Sequence, residues 1–150
     1  MPTTAEAFAQ ALSRHRTGDL QEAEALYRLV LQTDPRHAEA LHFLGLAAHQ
    51  RGNHSLAEKL MKQSLRLQPL NAALHGNLGA VLAALGQHAE AIACGEEGVR
   101  LQPNSSETHY RLGQLHEAQG ELQRAVACYR ESLRLQPIRR RRNSVWETCS

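Results

Sequence analysis

The chain has 150 residues, 42% hydrophobic and 21% charged, which is ordinary for one soluble globular unit. Its net charge of +2 hides an asymmetry: of 17 basic and 15 acidic side chains, four arginines stand together at 139–142, and without them and Glu147 the counts are 13 and 14. The body is therefore nearly neutral, which argues against a broad positive field for nucleic acid or membrane.

Four prolines, Pro35, Pro69, Pro103 and Pro137, stand 34 residues apart, and so do Gly18, Gly52, Gly86 and Gly120. A spacing shared by two residue types is a structural period, and periods of this size mean stacked repeats. In register the blocks are residues 4–37, 38–71, 72–105 and 106–139.

The first block holds Gly18, Ala23, Tyr27 and Pro35, but carries Gln10–Ala11 where later blocks read Leu-Gly, as suits a terminal cap. In the second, Leu41, Leu44 and Ala48 form one helical stripe, and Leu56, Leu60, Ser64 and Leu67 form the next. Gly52 separates the two runs and can take the positive φ that ends a helix. Proline then closes the second run, because it lacks an N–H and disfavours helix in the residue before it. Each block thus reads as helix–turn–helix, with no strand.

The third and fourth blocks align most clearly, AIACGEEGVRLQP (91–103) over AVACYRESLRLQP (125–137). Gly45, Gly79 and Gly113 fall mid-helix, where glycine costs about 1 kcal/mol relative to alanine. Tolerance of that cost in one slot implies that another helix passes too close for a side chain. Ala23, Ala57, Ala91 and Ala125 fill a second small slot. In the third block Gly95 replaces the aromatic and Gly98 follows. The missing ring is expected to leave poor packing and to make the helix around 88–101 the least stable of the stack.

The pattern Leu44–Gly45, Leu78–Gly79 and Leu112–Gly113, then the four alanines, Tyr27 and Tyr129, and the prolines resembles the tetratricopeptide repeat, over residues 4–137. The tryptophan slot departs from it, holding Ala7, Leu41, His75 and His109. The resemblance implies an all-α fold, an α-α superhelix of four helix–turn–helix units. Its concave groove would be lined by the first helix of each pair and would bind an extended peptide or helix of a partner protein. Carried over, the groove positions are Phe8, Leu12, His15 and Arg16; Glu39, His42, Phe43, Leu46, His49 and Gln50; Asn77, Ala80, Ala83 and Ala84; and Glu107, Tyr110, Arg111, Gln114 and Glu117.

Two known groove types fit badly. A carboxylate clamp needs groove lysine, and the chain's lysines, Lys59 and Lys62, lie on a second helix. An asparagine ladder is met at Asn77 alone, beside Ala9, Phe43 and Arg111. Even so, HAEALHFLGLAAHQRGN and the following stretch are similar to the N-terminal arrays of bacterial O-GlcNAc-transferase-like and sulfotransferase proteins. The alternative reading is therefore the substrate-recognition region of such an enzyme, cut before its catalytic part.

Chemistry within the chain finds no support. His42 and His49 are seven apart, as are His109 and His116, which separates them by about 10 Å along a helix, too far for one zinc. No HExxH, CxxC, GxSxG or phosphate loop occurs. No cofactor, metal or catalytic residue is expected. Three cysteines, Cys94, Cys128 and Cys149, make an odd number without framework spacing, so a reduced, cytoplasmic setting is the simpler reading. The N-terminus lacks a secretory pattern, and no run approaches 18 apolar residues.

The tail, IRRRRNSVWETCS (138–150), breaks the period and reads as a disordered basic end or the trace of a longer protein. It lacks the amphipathic run that caps an array. Self-association through an uncapped last repeat follows as one option. Contact of Arg139–Arg142 with nucleic acid or membrane is the weaker one.

Overall fold

The computed structural model describes residues 2–136, and in them eight helices follow one another without a strand. They are α1 (Thr4–Arg16), α2 (Leu20–Thr33), α3 (Ala38–Gln50), α4 (His54–Leu67), α5 (Ala72–Ala84), α6 (His88–Leu101), α7 (Ser106–Ala118) and α8 (Leu122–Leu135). Each helix begins and ends 34 residues after its counterpart, so the register does not slip. Pro137, Cys149 and the tail read at 138–150, with Arg139–Arg142, lie outside the described residues.

One device makes all four tight turns. Gly18, Gly52, Gly86 and Gly120 have φ between 78° and 89°, a conformation that costs any residue with a Cβ. The next N–H then reaches back five residues: Asp19 to the Arg14 carbonyl at 2.9 Å, Asn53 to Ala48 at 2.8 Å, Gln87 to Leu82 at 2.9 Å, Glu121 to His116 at 2.9 Å. These bonds satisfy carbonyls that the helix end would leave open. First helices are capped at the other end by Thr3, His37, Asn71 and Ser105, each accepting from an N–H three residues on. Different residues thus perform one task in one slot.

Within a pair, the mid-helix glycines permit close approach. A Cβ on Gly45 would stand 2.9 Å from Met61 Cγ and 3.3 Å from the Ala57 carbonyl oxygen; one on Gly79 would stand 3.1 Å from the Ala91 carbonyl oxygen. The small alanines of the second helix lie on the other side of this contact, and all four are buried. Between pairs, each second helix packs against the next first helix, and one ion pair reinforces the first such junction: buried Glu24 of α2 accepts from Arg51, beyond α3, at 2.8 Å.

In the third repeat the space on the Cβ side of Gly95 is taken by the next helix. A Cβ on Gly95 would meet Leu115 Cδ1 at 2.8 Å and Leu112 Cδ1 at 2.9 Å, so leucines of the next helix occupy the space. Sizes trade across the junctions. Tyr27 is followed at the facing slot by Ala47, Met61 by Val81, and Gly95 by Leu115, all buried. Large-then-small in the first two junctions becomes small-then-large in the third.

Successive first helices touch, α3 with α5 and α5 with α7, whereas no two second helices are in comparable contact. The stack therefore curves with α1, α3, α5 and α7 on the inside. Among the described residues no helix is long and apolar enough to cross a membrane.

Candidate functional site

The inner face is assembled by contacts between residues 35 positions apart, one more than the repeat. Phe8 lies against Phe43, ring centroids 6.3 Å apart. Asn77 Nδ2 donates to His42 Nε2 at 2.8 Å. Arg111 lays its Cδ 2.8 Å from where a Gly76 Cβ would be. His15 Nε2 meets Gln50 Oε1 at 2.7 Å. Each first helix is turned against the last, so a side chain faces the neighbour's next position rather than its own equivalent. The sequence columns, which set His15 over His49, are therefore offset by one from the true contacts.

This ladder changes chemistry along its length. Phe8, His15, Tyr27, His37, His42 and Phe43 form an aromatic cluster at the first two repeats, with centroid separations from 4.7 to 6.4 Å. Leu12, half-buried, extends it, while half-buried Leu46 packs against the neighbouring core that includes Met61 and Leu74. The Tyr27 hydroxyl bonds to His15 Nδ1 at 2.9 Å. Since Gln50 Oε1 can only accept, His15 carries its proton on Nε2 and receives the tyrosine proton on Nδ1. Burial pushes Tyr27 up to about 12, against a lowering by Arg16, so it remains a phenol.

His42 is buried and accepts through Nε2, a role open only to the neutral ring. Burial, aided by the Arg111 charge, lowers it to about 4. The centre of the floor is consequently uncharged at neutral pH. His49 turns outward to His54, Nδ1 to Nδ1 at 2.8 Å, and burial followed by the His54 charge lowers its pKa.

Beyond His42 the face becomes small and then charged. Gly76, Gly95 and Gly98 stand where the first repeat has Phe8, Tyr27 and Val30, and a cavity of about 40 Å³ remains between α5, α6 and α7. Arg111 borders it and is held by Glu107 at 3.1 Å. Further on, the Tyr129 hydroxyl donates to Glu117 Oε1 at 2.6 Å, and Tyr110 packs on Tyr129 with centroids 5.5 Å apart.

All nineteen residues assigned to the groove lie on the inner helices, but not alike; of those on α5 and α7, Ala83 is half-buried and Ala84 and Glu107 are exposed. His42 and Asn77 are buried in the floor. Phe8, Leu12, His15, Phe43, Leu46, His49, Ala80 and Arg111 are half-buried, and Arg16, Glu39, Gln50, Tyr110, Gln114 and Glu117 are exposed. Sequence reasoning missed the two tyrosines of the second helices, Tyr27 and Tyr129, whose hydroxyls reach the inner face. The available signal was their shared slot, each 12 residues after a polar inner residue, His15 or Glu117. Among the described residues no three His, Cys, Asp or Glu side chains gather as metal ligands.

Family profiles described as Tetratricopeptide repeat match residues 8–69 and 69–137. The chain belongs to the tetratricopeptide-repeat family. Such repeats build protein-interaction scaffolds, and the fold is generally noncatalytic. MamA from Desulfovibrio magneticus RS-1 superposes with a TM-score of 0.80 at 19% identity, covering 90% of this chain and 76% of that one, a likeness of fold. A variant of the Thermobaculum terrenum O-GlcNAc transferase superposes with a TM-score of 0.73 at 33% identity. That match covers 77% of this chain and 23% of the transferase chain. No curated protein matches the chain in sequence.

Proposed function

We propose that the array is a noncatalytic scaffold that holds an extended segment or helix of a partner protein along its inner face. The observation that carries this reading is the graded floor. Half-exposed Phe8, Phe43 and Leu46 offer apolar contact at one end, and Arg111, Gln114 and Glu117 offer polar contact at the other. Rigid aromatic rings give large contact area at small entropy cost, while oriented polar groups fix register. A partner segment with bulky apolar residues at one end and polar or charged ones at the other fits this order. Peptides selected from a random library should bind the parent, lose affinity at least tenfold with Leu46→Glu, and keep it with Lys59→Glu on an outer helix. Equal loss with both variants, or with neither, contradicts the reading.

The 33% identity to the O-GlcNAc transferase favours one second reading, a substrate-recognition array for an attached catalytic domain. Asn77, the one asparagine at the ladder position, is already committed to His42, which weighs against an asparagine-ladder mode. The second reading predicts that selected peptides share a Ser or Thr acceptor; the scaffold reading makes no such demand.

A further inference from the structure

The last helix carries an apolar stripe that no other described element covers. Leu122, Val126 and Leu133 are 61%, 44% and 45% exposed, and half-buried Tyr129 completes the line. A shallow depression flanks its Leu122 and Val126 end, beside Ala127 and Arg130. At the equivalent slots of earlier repeats, Leu31, Leu65 and Val99 are half-buried and Tyr27 and Met61 fully buried, because α3, α5 and α7 lie against those faces. At the slots of Tyr129 and Leu133 the earlier repeats thus receive the apolar face of another helix, whereas the slots of Leu122 and Val126 hold Leu20 and Glu24, His54 and Glu58, and His88 and Ile92.

We propose that a second copy of this chain covers it, α8 against α8 in an antiparallel, two-fold pair. The other end of the array cannot serve. Where α3, α5 and α7 present Leu44 and Ala47, Leu78 and Val81, or Leu112 and Leu115, α1 presents exposed Gln10 and Ser13. Arg14 beside them is paired with Glu22 at 3.1 Å. Stacking α8 onto α1 of another copy would bury polar groups without partners, so open head-to-tail growth is disfavoured. The stripe, by contrast, complements itself. Its spacing reads four, three, four from either end, and antiparallel pairing sets Leu122 opposite Leu133 of the second copy and Val126 opposite Tyr129 of the second copy. Leucine meets leucine, and the smaller residue meets the ring. Four side chains on one helix form a patch smaller than the roughly 1,200 Å² total that stable interfaces bury. The pair is therefore weak and concentration-dependent. This assembly does not depend on the groove reading.

Sedimentation equilibrium of the full chain from 10 µM to 1 mM tests it. The expected mass rises from one chain toward two and stops. Val126→Asp, and separately Leu122→Gln, should weaken pairing at least tenfold while leaving helical signal and dilute melting temperature unchanged. Leu70→Gln, at a leucine 73% exposed elsewhere, should leave pairing intact. A single-chain mass at 1 mM overturns the proposal, as does growth beyond two copies or a dimer indifferent to both α8 variants. A lower dilute melting temperature for both α8 variants also overturns it, since the face would then be covered within one chain.

Discussion

Asn77 donates to His42 across the junction of α3 and α5, and the bond exists only while His42 is neutral. Folding holds His42 near a pKa of about 4, against an ordinary value of 6.5. Between those values the unfolded chain binds the extra proton, so stability falls as pH drops through that window. The full loss at the acid end is of order 3 kcal/mol. His42→Gln keeps a hydrogen-bonding partner without titrating. Its melting temperature should vary less between pH 6.5 and 4 than that of the parent. Parallel curves would show that His42 does not report the bond.

Glycines 95 and 98 differ in consequence although they share a helix. A Gly98 Cβ would stand 3.5 Å from the Ala72 carbonyl oxygen, an ordinary contact, and the equivalent Ser64 donates to the Ala38 carbonyl at 2.8 Å. Gly98→Ala should stabilise by about 1 kcal/mol from helix propensity, and Gly98→Ser should recover the hydrogen bond. Gly95→Tyr should destabilise by about 3 kcal/mol or more, because Leu112 and Leu115 fill the site. Urea melts of the three variants decide this; a stabilised Gly95→Tyr would mean that the leucines move aside.

Gly86→Ala meets nothing within 4 Å, so its cost is conformational alone. With φ at 81°, a loss of about 1 kcal/mol is expected. Gly52→Ala should cost the same within a few tenths, since the turn is built identically. Unequal losses in denaturant would show that the repeats do not share one turn energy.

Tyr27→Phe and Tyr129→Phe remove equivalent hydroxyls in different surroundings. Tyr27 is fully buried, and its loss leaves His15 Nδ1 without its donor, at a cost of about 1 kcal/mol. The Glu117 partner of Tyr129 is exposed and can turn to water, so that change should be nearly neutral. Thermal melts showing the opposite order would contradict the burial argument.

The period was legible because proline and glycine act locally: the φ values of Gly18, Gly52, Gly86 and Gly120 are set by the turn itself. The close approaches at Gly45 and Gly79 were legible for a similar reason, a tolerated cost repeated in one slot. The pairings of the inner face were not. His42–Asn77 and His15–Gln50 arise from how one helix is turned against the next, and a 34-residue column cannot show a 35-residue contact. The crowding of Gly95 by Leu112 and Leu115 was not legible, because those leucines lie in the following repeat. There the sequence position reads only as one more leucine.

The central claim is that the inner helices hold the partner. Backbone amide shifts of the labelled chain, titrated with a library-selected peptide, test it most directly. Perturbations are expected at Phe8, Phe43, Leu46, Tyr110 and Gln114, with α4 and α6 silent on their outer faces. Perturbations confined to α4, α6 and α8 would contradict the account.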